Sequence, residues 1–300
     1  MSEIDQTQEM LARVFPQHGK YAVPGYLEWE YEQSPSGRAI QSNEDDERGR
    51  VGHYGLLPQR WMVNGEPVLY ALSLNTSVCE RARGLGVFSR LARRTIRAAR
   101  GQNVQALVGV ANRESTHGMT VTVGFDLIGP LPVVVYPQAV GSRRRELDLV
   151  SGADFLELLD ESDWKRPNDL GVWRRWGEGE LEWRLADPAH EYMFVVDRRL
   201  AAVVHRVRRF GLLVAVIVKV FVRCGEVVDL APFARRVARL TGSAVSLYAG
   251  INSGVRLTGP KIPPQFRPSP LNFIVKSLVE GVPASDLVPS EFEFLDFDAY

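Results

Sequence analysis

The chain has 300 residues, of which 45% are hydrophobic, enough to bury a sizeable core, and its 36 basic side chains balance 36 acidic ones. A neutral chain has no global field that would favour nucleic acid or an anionic membrane. The longest apolar run, residues 212–222, is far shorter than the roughly 20 residues that cross a bilayer, and it predicts a buried strand. The beginning of the chain lacks a signal-peptide pattern, and its two cysteines have no metal-binding spacing. We therefore expect a cytoplasmic protein without a metal.

The first half of the chain alternates strand and helix patterns. Residues 4–14 and 26–31 predict helices, and residues 42–47 predict an acidic loop. Two segments rich in β-branched and aromatic residues, 51–63 and 67–78, are joined by Asn64-Gly65 and predict a hairpin. The elements predicted after the hairpin are an amphipathic helix over 87–100 with five arginines on its polar face, a buried strand over 104–111, a short helix over 114–123 and a strand over 125–136 that Pro130 and Pro132 break.

The second half repeats parts of this order. Leu181-Glu182-Trp183-Arg184 is similar to Leu27-Glu28-Trp29-Glu30. The residues from Cys224 to Phe233 are similar to those from Cys79 to Phe88, and 247–252 is similar to 107–112. Because the matches keep the same order, they predict a duplication. The expected domains are residues 1–140 and 146–300, with the joint in the polar stretch from Gly141 to Glu146.

A glycine turn, Arg83-Gly84-Leu85-Gly86-Val87-Phe88, lies between the strand that ends at Val78 and the helix that begins at Val87. Glycine allows positive φ and a close approach of backbone N–H groups to a ligand. The helix N-terminus behind it offers unpaired donors and partial positive charge, a seat for a pyrophosphate. The third glycine of a dinucleotide motif and the Lys-Ser/Thr of a Walker loop are absent. A tight connection with glycines for geometry alone remains the alternative.

The turn resembles the signature of the GNAT superfamily of acyl-CoA N-acyltransferases, Gln/Arg-x-x-Gly-x-Gly/Ala. Of two possible registers, that from Arg83 to Phe88 resembles the Arg-Gly-Lys-Gly-Ile-Phe version of a subgroup encoded with bacterial surface-sugar genes. Further segments resemble the same subgroup, namely Trp29, Tyr31, Pro35 and Gly37, residues 51–58, Asn75-Thr76, Asn112 with Ser115, and Gly124-Phe125. The resemblance implies an α/β (α+β) fold of two tandem GNAT-like domains, each with a mixed, mostly antiparallel central sheet flanked by helices.

The resemblance also implies ligands. The co-substrate would be acetyl-CoA or a short hydroxyacyl-CoA, and the acceptor a small-molecule amine, an amino sugar linked to dTDP or UDP. The implied acyl-CoA contacts are Val78, Arg83, Gly84, Leu85, Gly86, Val87, Phe88, Asn112 and Ser115. The implied acceptor contacts are Trp29, Tyr31 and Asn75, and a position in the core is the alternative for the two helix aromatics. Residues 223–226 lack paired glycines where the second turn should be, so only the first domain is expected to bind acyl-CoA. A homo-oligomer stays open.

Acyl transfer needs a neutral amine and a proton for the departing thiolate. Many GNAT enzymes supply a Glu base and a Tyr acid, but residues 68–78 hold no carboxylate and Thr120 stands where the Tyr is expected. His53 and His117 are the predicted substitutes, against the alternatives of a core histidine and of no base at all. Arg81 or an arginine of the helix face could meet the 3′-phosphate of coenzyme A. Asp296 and Asp298 could attract an ammonium, or belong to a solvated strand.

Two other functions remain open at this stage. The missing acid and base fit a non-catalytic acyl-CoA-binding protein. Tandem GNAT-like domains also serve aminoacyl-tRNA-dependent transferases, although a neutral chain argues against a nucleic-acid partner.

Overall fold

The computed structural model of the chain describes residues 2–138, 147–161, 164, 171–177, 179–209 and 211–297. The chain divides into two compact units. Unit 1 comprises Met1–Gly129, Val172–Ala189 and Leu271–Val288, and unit 2 comprises Pro130–Gly171, His190–Pro270 and Pro289–Tyr300. Segments of the second half of the chain therefore belong to unit 1, a division that differs from contiguous domains at 1–140 and 146–300. The predicted joint, Gly141 to Glu146, and Asp298 lie outside the described residues.

The described residues form the following helices and strands in chain order. The helices are α1 (Glu3–Val14), α2 (Tyr26–Glu32), α3 (Val87–Gly101), α4 (Arg113–His117), α5 (Gly152–Asp160), α6 (Glu180–Leu185), α7 (Leu230–Leu240) and α8 (Phe294–Phe297). The strands are β1 (Ile40–Asp46), β2 (Gly49–Val63), β3 (Glu66–Val78), β4 (Val104–Ala111), β5 (Asp126–Pro130), β6 (Val133–Pro137), β7 (Asp148–Val150), β8 (Val172–Arg174), β9 (Tyr192–Val196), β10 (Leu200–Arg209), β11 (Leu212–Val222), β12 (Val228–Asp229), β13 (Val245–Asn252), β14 (Val255–Arg256), β15 (Asn272–Ser277) and β16 (Glu291–Glu293).

The sheet of unit 1 has the strand order β1-β2-β3-β4-β15-β5, and β8 pairs with β2. Strands β3 and β4 are parallel, whereas β1, β2 and β15 pair antiparallel with their neighbours β2, β3 and β4. The predicted hairpin is confirmed, because β2 and β3 pair directly beside Asn64 and Gly65. Both turn residues have positive φ, 51° and 86°, as a two-residue hairpin turn requires.

The sheet of unit 2 has the order β16-β13-β11-β10-β9-β7, and β6 also pairs with β13. Strands β11 and β13 are its parallel pair, and the other pairings are antiparallel. The predicted buried strand over 212–222 is confirmed as β11. The predicted fold class is also confirmed, because each unit contains a mixed, mostly antiparallel sheet with helices beside it.

One sequence prediction about the first half was wrong. The acidic stretch at 42–47 is not a loop, since β1 pairs with β2 from Ile40 to Asp46. Its carboxylates are tolerated in a strand because Asp45 and Asp46 form ion pairs with Arg50 and Arg81. The segment 125–136, predicted as a strand broken by Pro130 and Pro132, forms two strands. Residues 131 and 132 interrupt it, and β5 and β6 join different sheets.

Helix α3 has the amphipathic pattern predicted over 87–100. Val87, Leu91, Thr95 and Ala99 are buried, and their spacing of four places them on one face. This face packs on the core of unit 1, whereas the arginines on the polar face are exposed. Packing on the sheet therefore fixes the position of the helix N-terminus at the end of β3.

Helices α2 and α6, the two members of the predicted sequence repeat, both belong to unit 1. The rings of Trp29 and Trp183 stack with centroids 5.0 Å apart. Each indole Nε1 donates to the backbone carbonyl of the other tryptophan, at 3.1 Å in both directions. Both helices also begin after a glycine with positive φ, Gly25 and Gly179. The repeated sequence thus forms a pair of helices in one unit.

Within the described ranges, no helix is both long enough and apolar enough to span a membrane.

Candidate active site

The glycine turn connects β3 to α3 after a short 3₁₀ turn at Glu80–Ala82. Gly84 and Gly86 have φ of 78° and 71°, a left-handed backbone that residues with a side chain adopt only at a cost. Gly86 is the N-cap of α3 and provides no capping side chain, and the first turn of the helix holds no acidic residue. The first N–H groups of a 15-residue helix are therefore left without a side-chain cap, as an anion-binding N-terminus requires.

A cavity of about 360 Å³ opens beside this turn. Its lining residues are Val78, Ala82, Arg83, Gly84, Gly86, Val87 and Phe88. Six of them are among the predicted acyl-CoA contacts, which the structure thus brings together around one space. Leu85, also predicted, is 65% exposed and does not line the cavity. The residues present fit an acyl-CoA, because the cavity joins an apolar wall to an uncapped helix N-terminus.

Strands β3 and β4 separate before they reach the turn. Their pairing runs from Leu69 with Val104 to Ser73 with Gly109, and β3 then continues to Val78 without β4 beside it. On its other side β3 remains paired with β2 as far as Val78. Residues 74–78 therefore have one strand edge open, and such an edge can pair with the amides of an extended ligand.

A bulge in β3 lies at this separation. Asn75 there has a φ of 53°, and both polar atoms of its side chain make hydrogen bonds. Its Oδ1 accepts from Tyr21 at 2.5 Å, and its Nδ2 donates to Glu30 Oε2 at 2.9 Å and to Tyr31 Oη at 3.0 Å. Tyr31 Oη also lies 2.7 Å from His53 Nε2. We call these five residues the bulge network.

The direction of the hydrogen bonds in the bulge network follows from His53. Its Nδ1 lies 2.7 Å from Asn43 Oδ1, which only accepts, so Nδ1 carries the proton and Nε2 accepts from the Tyr31 hydroxyl. Burial, and then the nearby Arg50, lowers the pKa of His53 to about 3. His53 is consequently neutral at pH 7. Burial and Glu30 hold the pKa of Tyr31 well above its usual value, so its hydroxyl stays protonated.

The predicted acceptor and catalytic residues on this side are buried. His53 is 0% exposed, Tyr31 is 1% exposed, and Trp29 is 5% exposed in its stack with Trp183. A fully buried neutral imidazole with both nitrogens bonded is suited to hold neighbouring groups in place. The predicted roles of His53 as a base and of Trp29, Tyr31 and Asn75 as acceptor contacts stay predictions.

Helix α4 holds the other predicted contacts. Asn112 Oδ1 accepts from Ser115 N at 2.8 Å, and Ser115 Oγ accepts from Asn112 N at 3.1 Å, which caps the helix on both sides. His117 is exposed at the end of α4. A Cβ on the next residue, Gly118, would lie 3.1 Å from the Phe88 ring, so the glycine lets α4 end directly against the cavity lining.

The corresponding place in unit 2 is filled by side chains. Strands β3 and β11 each contain a bulge. Val78 is the second paired residue after the bulge in β3, opposite Gly52, and Val220 is the second paired residue after the bulge in β11, opposite Ala202. Val220 therefore takes the position of Val78. Val220 N donates to Glu293 Oε1 at 3.1 Å, and Asn252 Nδ2 donates to Val220 O at 3.0 Å. The backbone groups that face an open gap in unit 1 are therefore paired in unit 2.

Asp296, one of two predicted contacts for an ammonium, lies in this region. It is 1% exposed, and its Oδ2 lies 3.1 Å from Nζ of the buried Lys219. Asp296 therefore pairs with a lysine of the chain. It belongs neither to a solvated strand nor to a set of acceptor contacts, the two alternatives that the sequence offered.

Sequence reasoning missed several members of the site. Glu30 is 1% exposed and accepts from Tyr26 Oη at 3.0 Å as well as from Asn75. A detectable signal was present, because a carboxylate four residues after Tyr26 shares its helix face. Tyr21 and Asn43 had no such signal, since their partners are distant in the chain. Among the described residues, no group of three His, Cys, Asp or Glu side chains could hold a metal ion.

Residues 1–127 match the family model of the acetyltransferase (GNAT) domain. A search of curated proteins found no match. Three solved structures share the fold over most of the chain. A probable N-acyltransferase from Enterococcus faecalis has a TM-score of 0.61 at 12% identity, covering 92% of this chain and 70% of its own. A GCN5-related N-acetyltransferase from Anabaena variabilis has a TM-score of 0.58 at 11% identity, with coverages of 93% and 71%.

A GCN5-related N-acetyltransferase from Kribbella flavida has a TM-score of 0.56 at 14% identity, with coverages of 92% and 69%. At these identities the likeness extends to the fold, and the family match concerns the part of the chain that contains the glycine turn, the open edge of β3 and the cavity. Residues 1–127 match the family model of a GNAT acetyltransferase domain, and most of the chain shares the fold of these three structures.

Proposed function

We propose that the chain transfers an acetyl or short hydroxyacyl group from coenzyme A to the amine of an amino sugar, one linked to dTDP or UDP. The observation that carries the acyl-CoA part is the uncapped glycine turn beside the cavity and the open edge of β3. The amino sugar rests on the resemblance of the early Trp29 to Gly37 segment and of residues 51–58 to the surface-sugar subgroup.

The chain's own residues would divide the work in this site. Bound acyl-CoA supplies the thioester that the amine attacks. The N-terminus of α3 binds the pyrophosphate, and the open edge of β3 orients the arm that bears the thioester. His117 is the solvent-exposed member of the two predicted histidines and exchanges a proton with the acceptor. His53, neutral and buried, holds Tyr31 and through it the bulge of β3.

The test is release of free thiol from acetyl-CoA and from 3-hydroxybutanoyl-CoA in the presence of different amines. The panel contains dTDP- and UDP-linked amino sugars, the free amino sugars, simple primary amines, and aminoacyl-tRNA with an acceptor peptide. Faster release with a nucleotide-linked sugar than with its free counterpart supports the proposal. Release with simple amines alone rejects the sugar, and binding of CoA without turnover on any amine rejects the transfer.

A further inference from the structure

Arg90 lies over the glycine turn, although it belongs to the exposed arginine face of α3. Its Nη1 donates to Leu85 O at 2.8 Å, and the same nitrogen lies 3.4 Å from the position of a Cβ on Gly86. Helical side chains point toward the helix N-terminus, and Arg90 is in the first turn, so its guanidinium reaches the turn directly. The other arginines of the face begin farther along the helix.

Glu44 of β1 holds the guanidinium in this position. Its carboxylate forms an ion pair with Arg90 Nη2 and accepts from Arg90 Nε at 3.3 Å. A guanidinium has five N–H donors, and the contacts with Glu44 and Leu85 use three, so two can face a ligand. The side chains of Arg90 and Glu44 are 46% and 23% exposed, which leaves the pair accessible from solvent.

Arg81, the other arginine considered for a phosphate, is arranged differently. Its Nε and Nη2 donate to the two oxygens of Asp46, at 2.8 and 3.0 Å. This two-fold contact lowers the pKa of Asp46 to about 2. Two donors of Arg81 are therefore bound to the carboxylate of Asp46, whereas Arg90 also donates to the backbone of the glycine turn.

We propose that Arg90 binds the pyrophosphate of coenzyme A on the glycine turn, with Glu44 as its positioning residue. This inference rests on the proposed acyl-CoA function and adds to it a residue outside the turn. The helix N-terminus carries only about half a positive charge, which does not balance a pyrophosphate. A guanidinium held beside it supplies a full charge and short, charge-assisted hydrogen bonds.

The experiment is calorimetric titration of the full chain with CoA, with dephospho-CoA, which lacks the 3′-phosphate, and with pantetheine, which lacks all phosphates. Arg90→Gln should weaken binding of both CoA and dephospho-CoA about tenfold and leave pantetheine binding unchanged. Arg93→Gln, an exposed arginine on the same helix, is the matched control and should bind all three ligands normally. A loss for CoA alone would place Arg90 at the 3′-phosphate, and no loss would remove it from the site; either result overturns the proposal.

A double variant separates direct binding from a change in the local charge. If Arg90 only neutralised Glu44, the Arg90→Gln variant would leave a carboxylate that repels the phosphate, and Glu44→Gln would restore affinity. If Arg90 binds the pyrophosphate, the double variant should stay about tenfold weaker than wild type. Recovery in the double variant would therefore contradict the proposal.

Failure of the inference and failure of the function give different results. A wild-type chain that binds no CoA would reject both. A wild-type chain that binds CoA, with an Arg90→Gln variant of equal affinity, rejects only the role of Arg90. Thermal unfolding of the Arg90→Gln and Arg93→Gln proteins should give equal midpoints, which shows that the variants are folded.

Discussion

The two strand-to-helix junctions of the molecule differ in what occupies them. In unit 1, α3 begins at Gly86 without a side-chain cap. In unit 2, α7 begins at Asp229, whose carboxylate accepts from Ala231 N at 3.0 Å and from the Thr258 hydroxyl. A carboxylate of the chain thus stands at the helix N-terminus where unit 1 leaves room for an external anion.

The strand edges show the same contrast. Residues 74–78 of β3 have an open edge, whereas both polar backbone groups of Val220 in β11 are bonded to Glu293 and Asn252. Unit 2 therefore supplies from its own side chains the hydrogen bonds that the open edge of unit 1 leaves available to a ligand. We therefore expect the stability of unit 2 to depend on the buried charges around Lys219, and this difference from unit 1 can be tested.

The largest expected effect is on the stability of unit 2 and comes from replacing Lys219. Its Nζ is fully buried and lies 2.8 Å from Glu293, 3.1 Å from Asp296 and 3.4 Å from Glu291. Lys219→Met would leave buried carboxylates without their cation and should lower the free energy of unfolding by about 3–5 kcal/mol. Denaturant titration measures the loss, and Lys261→Met, at an exposed lysine of unit 2, is the control. A loss similar to that of the control would show that the cluster does not hold unit 2 together.

The second effect concerns catalysis in unit 1. His117→Gln should lower kcat for acyl transfer about a hundredfold, because the amine would lose its proton acceptor. His190→Gln, in unit 2, should leave kcat unchanged. The readout is the pH profile of kcat in addition to its value, since a change of local structure alone would not shift the profile. Equal rates for wild type and His117→Gln would remove His117 from the reaction.

The sequence specified the local features of this comparison well. The buried stripe of α3, the Asn64-Gly65 hairpin and the apolar run of β11 depend on neighbours in the chain, so patterns of spacing and turn chemistry identify them. The glycine turn was also visible, because its positive φ demands particular residues. Five of the predicted turn residues line the cavity that forms there.

Features that depend on distant pairing could not be predicted. Strand β15 joins the sheet of unit 1 beside β4, and β6 joins the sheet of unit 2 beside β13, although each comes from the other half of the chain. No local pattern reports such an exchange. The bulge network likewise joins residues 21, 30, 31, 53 and 75. The acidic composition of β1 predicts a loop, because the sequence does not show that its carboxylates have arginine partners.

The third effect is on pH dependence in unit 2. Burial, with Asp296 and Glu291 nearby, raises the pKa of Glu293 from 4.5 to about 7 against the opposing influence of Lys219. The folded protein therefore keeps a proton that the unfolded chain loses, and this contribution to stability is present below pH 4.5 and lost as the pH rises to about 7. Wild type should lose about 3 kcal/mol across this window relative to Glu293→Gln, which cannot titrate. Parallel stability curves for the two proteins would contradict the assignment.

The smallest expected effect comes from replacing the glycine at each junction, Gly86 in unit 1 and Gly225 in unit 2. Gly86 and Gly225 have nearly equal φ, 71° and 76°, so Ala at either position should cost about 1–2 kcal/mol of folding free energy from the left-handed backbone. A Cβ at Gly86 would also meet Arg90 Nη1 at 3.4 Å, whereas none of the surrounding atoms lies within 4 Å of one at Gly225. Gly86→Ala should therefore weaken CoA binding about tenfold, and Gly225→Ala should not change it. Calorimetric titration of both variants decides the matter, because equal losses of affinity would mean that the two junctions do not differ in ligand binding.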